Sequence, residues 1–498
     1  MSKRASRRDA VAMRRILLAG VAVLSFSAVP VAAAEAGGVV WGACPGAPVV
    51  DPRQECATVR VPMDYGAPGG DRIELAVSRI RTAKAGARRG VLLLIPGGPG
   101  GSGINRPSSY VSRLPVELLD RYDLVGFDPR GVGRSTPVSC RLAGDDIAPA
   151  HLYPWPAPDG DIAGNVERAR RIAETCGRDG GELLRHISTR NEARDIDRIR
   201  RALGEERISY WGVSYGTYAG AVYATMFPER TDRVVLDSSG DPNPRRVARG
   251  WAANYGVGVE DRFPDFAAWA AARHTEYGLG ADATAVRETF LRLAAGLDRQ
   301  PLPWPGANPP RLTGNVLRST MLPALYSDAD FPRLAGLMRA AMASGPLPSL
   351  PAPPEPVQQN TTAVAIGTLC NDVEWPDSVR AHQRDVDRDR LAHPLTAGMP
   401  VNIFPCAFWP HPPAERTTRI TPRGPSNVLL VNNLRDPSTP HSGALRMRRA
   451  FGDRARMVSV DSGGHGAYLA NGNACGDRTV TAFLVDGTRP AHDVLCGT

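Results

Sequence analysis

Between residues 73 and 236 the chain alternates two hydrophobic patterns. Ile73 to Ile80 switches between apolar and polar positions, as in a strand with one buried face. Val91-Leu92-Leu93-Leu94-Ile95 is apolar throughout, which predicts a strand covered on both faces. Tyr122 to Phe127, Ile208 to Trp211 and Arg233 to Leu236 are further apolar runs of strand length. Between them, Asn191 to Leu203 places Ala193, Ile196, Ile199 and Leu203 on one helical face. Tyr215 to Phe227 also has helical spacing and few breakers. Strands alternating with helices predict an α/β fold with a mostly parallel sheet.

The pattern changes after residue 242. Helical stretches rich in Ala and Arg, Asp265 to Glu276 and Ala283 to Leu297, are separated by the proline-rich connectors Pro301 to Pro310 and Pro346 to Pro356. No strand-helix alternation is visible there, so a helical cap inserted into the sheet domain is expected. Alternation resumes with strands at Asn427 to Val431 and Arg456 to Val460 and a closing helix at Thr479 to Val485. The chain thus divides into a leader (1–36), a first part of the core (37–242), a cap (243–410) and a second part of the core (411–498).

Composition sharpens this picture in three ways. A chain of 498 residues with 42% hydrophobic content can bury a large core. The leader has a basic start, an apolar run from Ile16 to Val31 and small residues at Ala32-Ala33-Ala34, the pattern of an export signal. The first 34 residues carry six basic side chains and one acid, so the net charge of +9 falls to +4 without them. That residue gives no ground for a nucleic-acid partner. No later segment is long and apolar enough to span a membrane. The eight cysteines suit disulfides in an exported chain. Pairing sequence neighbours gives 44–56, 140–176, 370–406 and 475–496. No C-x-x-C or H-E-x-x-H motif points to a metal.

The candidate chemistry sits at strand ends. Gly212-Val213-Ser214-Tyr215-Gly216 is a G-x-S-x-G turn between a predicted strand and a predicted helix, the setting of a nucleophilic serine. A serine hydroxyl needs a base, and that base needs an acid to fix its tautomer. His465, on a glycine-rich loop after a strand, is the best base, and His441 is next. Asp436, also at a strand end, is the best acid, with Asp237 as runner-up. The order Ser, Asp, His is that of α/β-hydrolases. The oxyanion donors are expected to be the N–H groups of Tyr215 and of Gly98, in the loop after Val91–Ile95. Asp128 and Arg130 read as a pair bracing the neighbouring loop. Gly98 to Gly103 also fits G-x-G-x-x-G, but Asn105-Arg106-Pro107 follows where a dinucleotide site requires a helix.

Together, Pro96–Gly103, Asp128–Ser135, Trp211–Thr217, Asp436–Pro440 and Gly464–Gly466 resemble the exported tripeptidyl aminopeptidases of actinobacteria, in the proline-iminopeptidase branch of the α/β-hydrolases. The resemblance runs from about residue 40 to the end. It implies a cofactor-independent Ser-Asp-His exopeptidase that removes short peptides from free N-termini, with Ser214, Asp436 and His465 in those roles. It also implies an acidic subsite in the cap for the substrate ammonium, for which Asp372 and Glu374 are the candidates. An exported esterase or lipase-like hydrolase is the alternative on the same core, and a non-catalytic binding protein is a third. A peptide partner is implied; side-chain preference and oligomeric state are open.

Overall fold

The computed structural model describes residues 39–45, 51–148, 151, 153–349 and 353–497. The expected leader, 1–36, lies outside them. The apolar runs build one large sheet from β1 (Gly42–Ala43), β2 (Glu55–Pro62), β3 (Arg72–Ile80), β4 (Gly90–Ile95), β5 (Tyr122–Phe127), β6 (Ile208–Val213) and β7 (Thr231–Asp237). A separate two-stranded ribbon, β8 (Leu302–Pro303) with β9 (Arg311–Leu312), comes before the remaining sheet strands. These are β10 (Val428–Arg435), β11 (Ala455–Gly463) and β12 (Val494–Cys496). The order across the sheet is β1-β2-β3-β5-β4-β6-β7-β10-β11-β12. β1, β2 and β3 pair antiparallel, as do β3 and β5; every pairing from β5 to β12 is parallel.

Every residue of β4 and β5 is buried, because helices cover both faces. One face packs Ile196, Ile199, Tyr218 and Val222 with Leu93 and Leu236. The other packs Trp211, Tyr468 and Phe483 with Leu92 and Val431. The even alternation predicted for β3 appears as Ile73, Leu75 and Val77, all buried.

The described residues of 243–410 contribute helices and the small ribbon, but no strand of the large sheet. Part of them, with Trp155, forms a second core that includes Phe263, Phe266, Phe290, Phe331 and Met338, while Ala248, Val364, Trp375 and Phe404 pack into the core of the sheet. The helix expected over Asp265 to Glu276 is instead Arg249–Ala271, with His274–Tyr277 a separate turn. Pro264 lies inside the longer helix and Gly250, Gly256 and Gly258 precede it, so local propensity hides its first half. Gly258 has a packing reason. A Cβ there would lie 2.5 Å from the Pro437 carbonyl oxygen, so only glycine lets this helix touch the loop after β10.

The four disulfides join Cys44–Cys56, Cys140–Cys176, Cys370–Cys406 and Cys475–Cys496, the neighbour pairing. Among the described residues, no helix is long and apolar enough to cross a membrane.

Candidate active site

Ser214 sits between β6 and the helix Tyr215–Met226, at φ 59° and ψ −126°. Its N–H donates to the Asp237 carbonyl at the end of β7, at 3.0 Å. The turn closes only with glycine at its sides. A Cβ on Gly212 would lie 2.3 Å from the Gly216 oxygen, and one on Gly216 2.6 Å from the Ile95 oxygen. The Ser214 side chain makes no capping bond to its helix. Tyr215 opens that helix, so its N–H has no intrahelical acceptor. The loop after β4 touches the turn, since a Cβ on Gly97 would lie 3.0 Å from the Ser214 Cβ. Gly98 follows directly.

Asp436 and His465 meet across the ends of β10 and β11. His465 Nδ1 lies 3.0 Å from Asp436 Oδ1 and 3.1 Å from Oδ2. The Asp436 carboxylate is buried and also accepts the N–H groups of Ser438 (2.9 Å) and Thr439 (2.8 Å) and the Thr439 hydroxyl (2.9 Å). These donors fix its orientation. Burial alone would lower the His465 pKa. The charge and hydrogen bond of Asp436 outweigh it, with a smaller contribution from Asp237, so the imidazole is held above its ordinary value. The ring's hydrogen bonds are all made by Nδ1, to Asp436 and Thr439; Nε2 has no partner among the described residues.

Two other expected acids and bases take different places. Asp237 makes no hydrogen bond to the His465 ring; the ring's bonds go to Asp436 and Thr439. The Asp237 carboxylate accepts the N–H groups of Ala467 (2.8 Å) and Tyr468 (3.1 Å) and the Trp211 indole (3.2 Å). Burial pushes its pKa up to about 6 against those bonds. With the Ser238 hydroxyl, which accepts the Gly466 N–H at 2.8 Å, it clamps the histidine loop to the strand end that also holds Ser214. His441 opens the helix His441–Phe451, with Nε2 2.7 Å from the Ser459 hydroxyl.

The braces around the first glycine loop also differ from expectation. Asp128 and Arg130 do not pair with each other. Asp128 accepts the N–H groups of Gly103 and Ile104, both at 3.0 Å, and the Ser102 hydroxyl. Arg130 makes a fully buried bidentate pair with Asp195, both bonds 2.7 Å.

At 34% identity, the alignment with the tripeptidyl aminopeptidase of Streptomyces coelicolor spans 94% of this chain and 88% of that protein. The chain belongs to the tripeptidyl-aminopeptidase-like α/β-hydrolases. Family models agree in two pieces: alpha/beta hydrolase fold over residues 90–322 and TAP-like protein over 394–496. The serine protease Hip1 of Mycobacterium tuberculosis is 30% identical, over 89% of this chain and 87% of its own. Carboxylesterase B of the same organism is 32% identical, over 91% and 92%. This α/β-hydrolase is a serine hydrolase.

In this family member, Tyr255 and Tyr326, from the helical residues after β7, pack over the strand ends. Tyr326 lies across His465, ring centroids 4.8 Å apart, and its carbonyl accepts the His465 N–H at 2.9 Å. Its hydroxyl is 2.9 Å from that of Tyr255, which in turn is 3.2 Å from that of Tyr153. Ser438, two residues after Asp436, donates to the Tyr255 hydroxyl at 2.9 Å. None of these tyrosines carries a sequence signal: Tyr255 and Tyr326 look like ordinary core positions of a helical stretch, and Tyr153 lies far from both in the chain.

A cavity of about 320 Å³ opens beside Gly98 and Pro99. Trp251, Tyr255, Ile366, Leu369 and Phe404 give it mostly apolar walls, and Asp146 is its carboxylate. Asp146 is itself bonded to Arg171 at 2.6 Å. Neither Asp372 nor Glu374 lines this cavity, so the expected acidic pair is not assembled. Glu374 is exposed, on a surface recess with Arg249 and Pro376. Asp372 is buried at the end of the helix Glu355–Asp372. It accepts the Thr189 N–H at 2.8 Å and the Thr189 hydroxyl. It lines a second cavity of about 390 Å³ with Tyr218, Arg190 and Arg194.

Proposed function

We propose that the chain is an exported serine exopeptidase that releases di- or tripeptides from free N-termini. Ser214 attacks the scissile carbonyl as His465 Nε2 takes its proton, and Asp436 holds the imidazole in the required tautomer. The N–H groups of Tyr215 and Gly98 receive the oxyanion. His465 then protonates the leaving amine, and water, activated by the same imidazole, cleaves the acyl-enzyme. The observation that carries this reading is the buried Asp436–His465 bond, tied through Asp237 and Ser238 to the strand end that positions Ser214. The four disulfides support export.

The substrate chain would lie in the cavity beside Gly98, where an ammonium would have to share Asp146, the lining carboxylate, with Arg171 and Arg168. A charge buried in such a site needs a partner. The apolar walls and the relative named carboxylesterase B favour a second reading, a carboxylesterase on the same machinery.

Kinetics on a free tripeptide anilide, its N-acetyl form and a short acyl ester separate the two. The peptidase reading expects kcat/KM for the free tripeptide to exceed that of the acetylated one by about 100-fold, the scale of one charge-assisted contact. Asp146→Asn should then raise KM for the free peptide and leave ester hydrolysis unchanged. Equal turnover of both peptides, with faster ester cleavage, would establish the esterase.

A further inference from the structure

Beneath the nucleophile turn, four oxygen-bearing side chains stand in a row. The Thr189 hydroxyl contacts Asp372 Oδ2, lies 2.9 Å from the Tyr215 hydroxyl, and that hydroxyl lies 2.7 Å from Glu192 Oε2. All four residues are buried. Each of these three oxygen–oxygen contacts needs a hydrogen, and the two hydroxyls supply one each. The third hydrogen must belong to a carboxyl. With both acids ionised, each hydroxyl would turn toward its carboxylate, and the Thr189 and Tyr215 oxygens would face each other at 2.9 Å with no proton between them.

The surroundings decide which acid holds the proton. Asp372 Oδ1 accepts the Thr189 N–H at 2.8 Å, a bond that favours a carboxylate. Glu192 Oε1 has no partner. An unpaired carbonyl oxygen of a neutral acid costs far less than an unpaired carboxylate oxygen. The neighbours of Glu192 add negative charge from two elements. On its own helix, Thr189–Ala202, stands Asp195, and at the end of Glu355–Asp372 stands Asp372. Arg130, from the loop after β5, is the facing cation, and Asp195 already engages it on both sides, with Tyr65 also bonded to Asp195 at 2.8 Å. Burial is the largest cause raising the Glu192 pKa, to about 8; Asp195 and Asp372 raise it further, while Tyr215 and Arg130 oppose them.

We propose that Glu192 is a positioning residue for the oxyanion site. Its protonated carboxyl completes a one-directional chain, Glu192 to Tyr215 to Thr189 to Asp372, that pins the Tyr215 side chain. Tyr215 is the first residue of the nucleophile helix, and its ring also packs edge-on against Trp251 of the cap. Fixing the ring fixes the backbone N–H aimed at the reacting carbonyl. When Glu192 loses its proton, the chain breaks at the Thr189–Tyr215 contact and a negative charge appears behind the oxyanion. This inference rests on the reading of Tyr215 N–H as an oxyanion donor.

Single-turnover hydrolysis of p-nitrophenyl acetate across pH tests it. The wild-type rate should rise as His465 deprotonates, then fall about tenfold per pH unit above about pH 8, with ester KM unchanged. Glu192→Gln keeps a donor to Tyr215 but cannot ionise, so it should stay within about threefold of wild type at neutral pH and lose the alkaline fall. Infrared titration of the wild-type protein needs no variant to fold. It should show a protonated carboxyl band that disappears near pH 8; no such band overturns the proposal. Ester turnover with the same alkaline fall in Glu192→Gln refutes this inference alone. No turnover at any pH of this ester or of the free tripeptide anilide refutes the serine-hydrolase mechanism, and this inference with it.

Discussion

Replacing Ser214 by alanine should lower kcat by about 10⁶-fold, the scale for removing a triad nucleophile, while leaving thermal unfolding unchanged. The serine oxygen is the bond-forming atom of the proposed cycle and stands between the Gly97 loop and the helix start. Its removal should be nearly neutral for folding. The side chain makes no capping bond, and the N–H to Asp237 belongs to the backbone. Alanine keeps the Cβ that packs beside Gly97 and meets the same backbone constraint at φ 59°. Steady-state kinetics with a thermal melt checks both halves. A loss below tenfold would remove Ser214 from the chemistry.

Asp436→Asn should cost about 10⁴-fold in kcat, the scale of a tautomer-fixing acid, and should shift the acid limb of the pH profile. Asp436 Oδ1 accepts two backbone N–H groups, so an asparagine would keep its carbonyl there. Its amide nitrogen would then take the Oδ2 position, 3.1 Å from His465 Nδ1, and donate to it. The imidazole proton would move to Nε2, the atom that must accept from serine. The pH effect follows the same contact. His465 is active when neutral, and its raised pKa moves the rise of kcat/KM with pH above the ordinary histidine range. Removing the Asp436 charge leaves burial as the dominant influence, which disfavours imidazolium. The residual activity of the variant should therefore rise at a lower pH than that of wild type. An unchanged limb would show that another group titrates there.

Stability should carry the same linkage with the opposite outcome. A raised imidazole pKa stabilises the fold fully below the unfolded histidine value of about 6.5, and that contribution disappears as pH rises through the folded value. The catalytically competent form is thus the less stabilised one.

Much of this was legible in the chain because strand ends are local. The continuous apolar runs gave β4 to β7 within about two residues, and the residues after β6, β10 and β11 are Ser214, Asp436 and Gly464-His465. What escaped depends on contacts distant in sequence. Asp372 is separated by 183 residues from Thr189, whose hydroxyl and N–H it binds, so a sequence window around Leu369 to Trp375 shows an acidic loop and not a buried helix end. Arg130 and Asp128 were both legible as braces, but their partners, Asp195 for the one and the Ser102 hydroxyl and Gly103–Ile104 backbone for the other, depend on how the loops fold together. The helix Arg249–Ala271 was half hidden because Gly258 serves its packing on Pro437 and not its own helical propensity. Tyr326, which lies over His465, and the Tyr255 and Tyr153 hydroxyls linked to it come from three separate segments, so only the folded chain brings them together.

The central claim is that Ser214, activated by the Asp436–His465 pair, is the nucleophile. Its most direct test is to treat the folded protein with a fluorophosphonate and map the adduct by peptide mass spectrometry. The account predicts one adduct, on Ser214, formed by wild type, slowed by orders of magnitude in Asp436→Asn and absent from Ser214→Ala. Labelling on another serine, or equal labelling of wild type and Asp436→Asn, would contradict it.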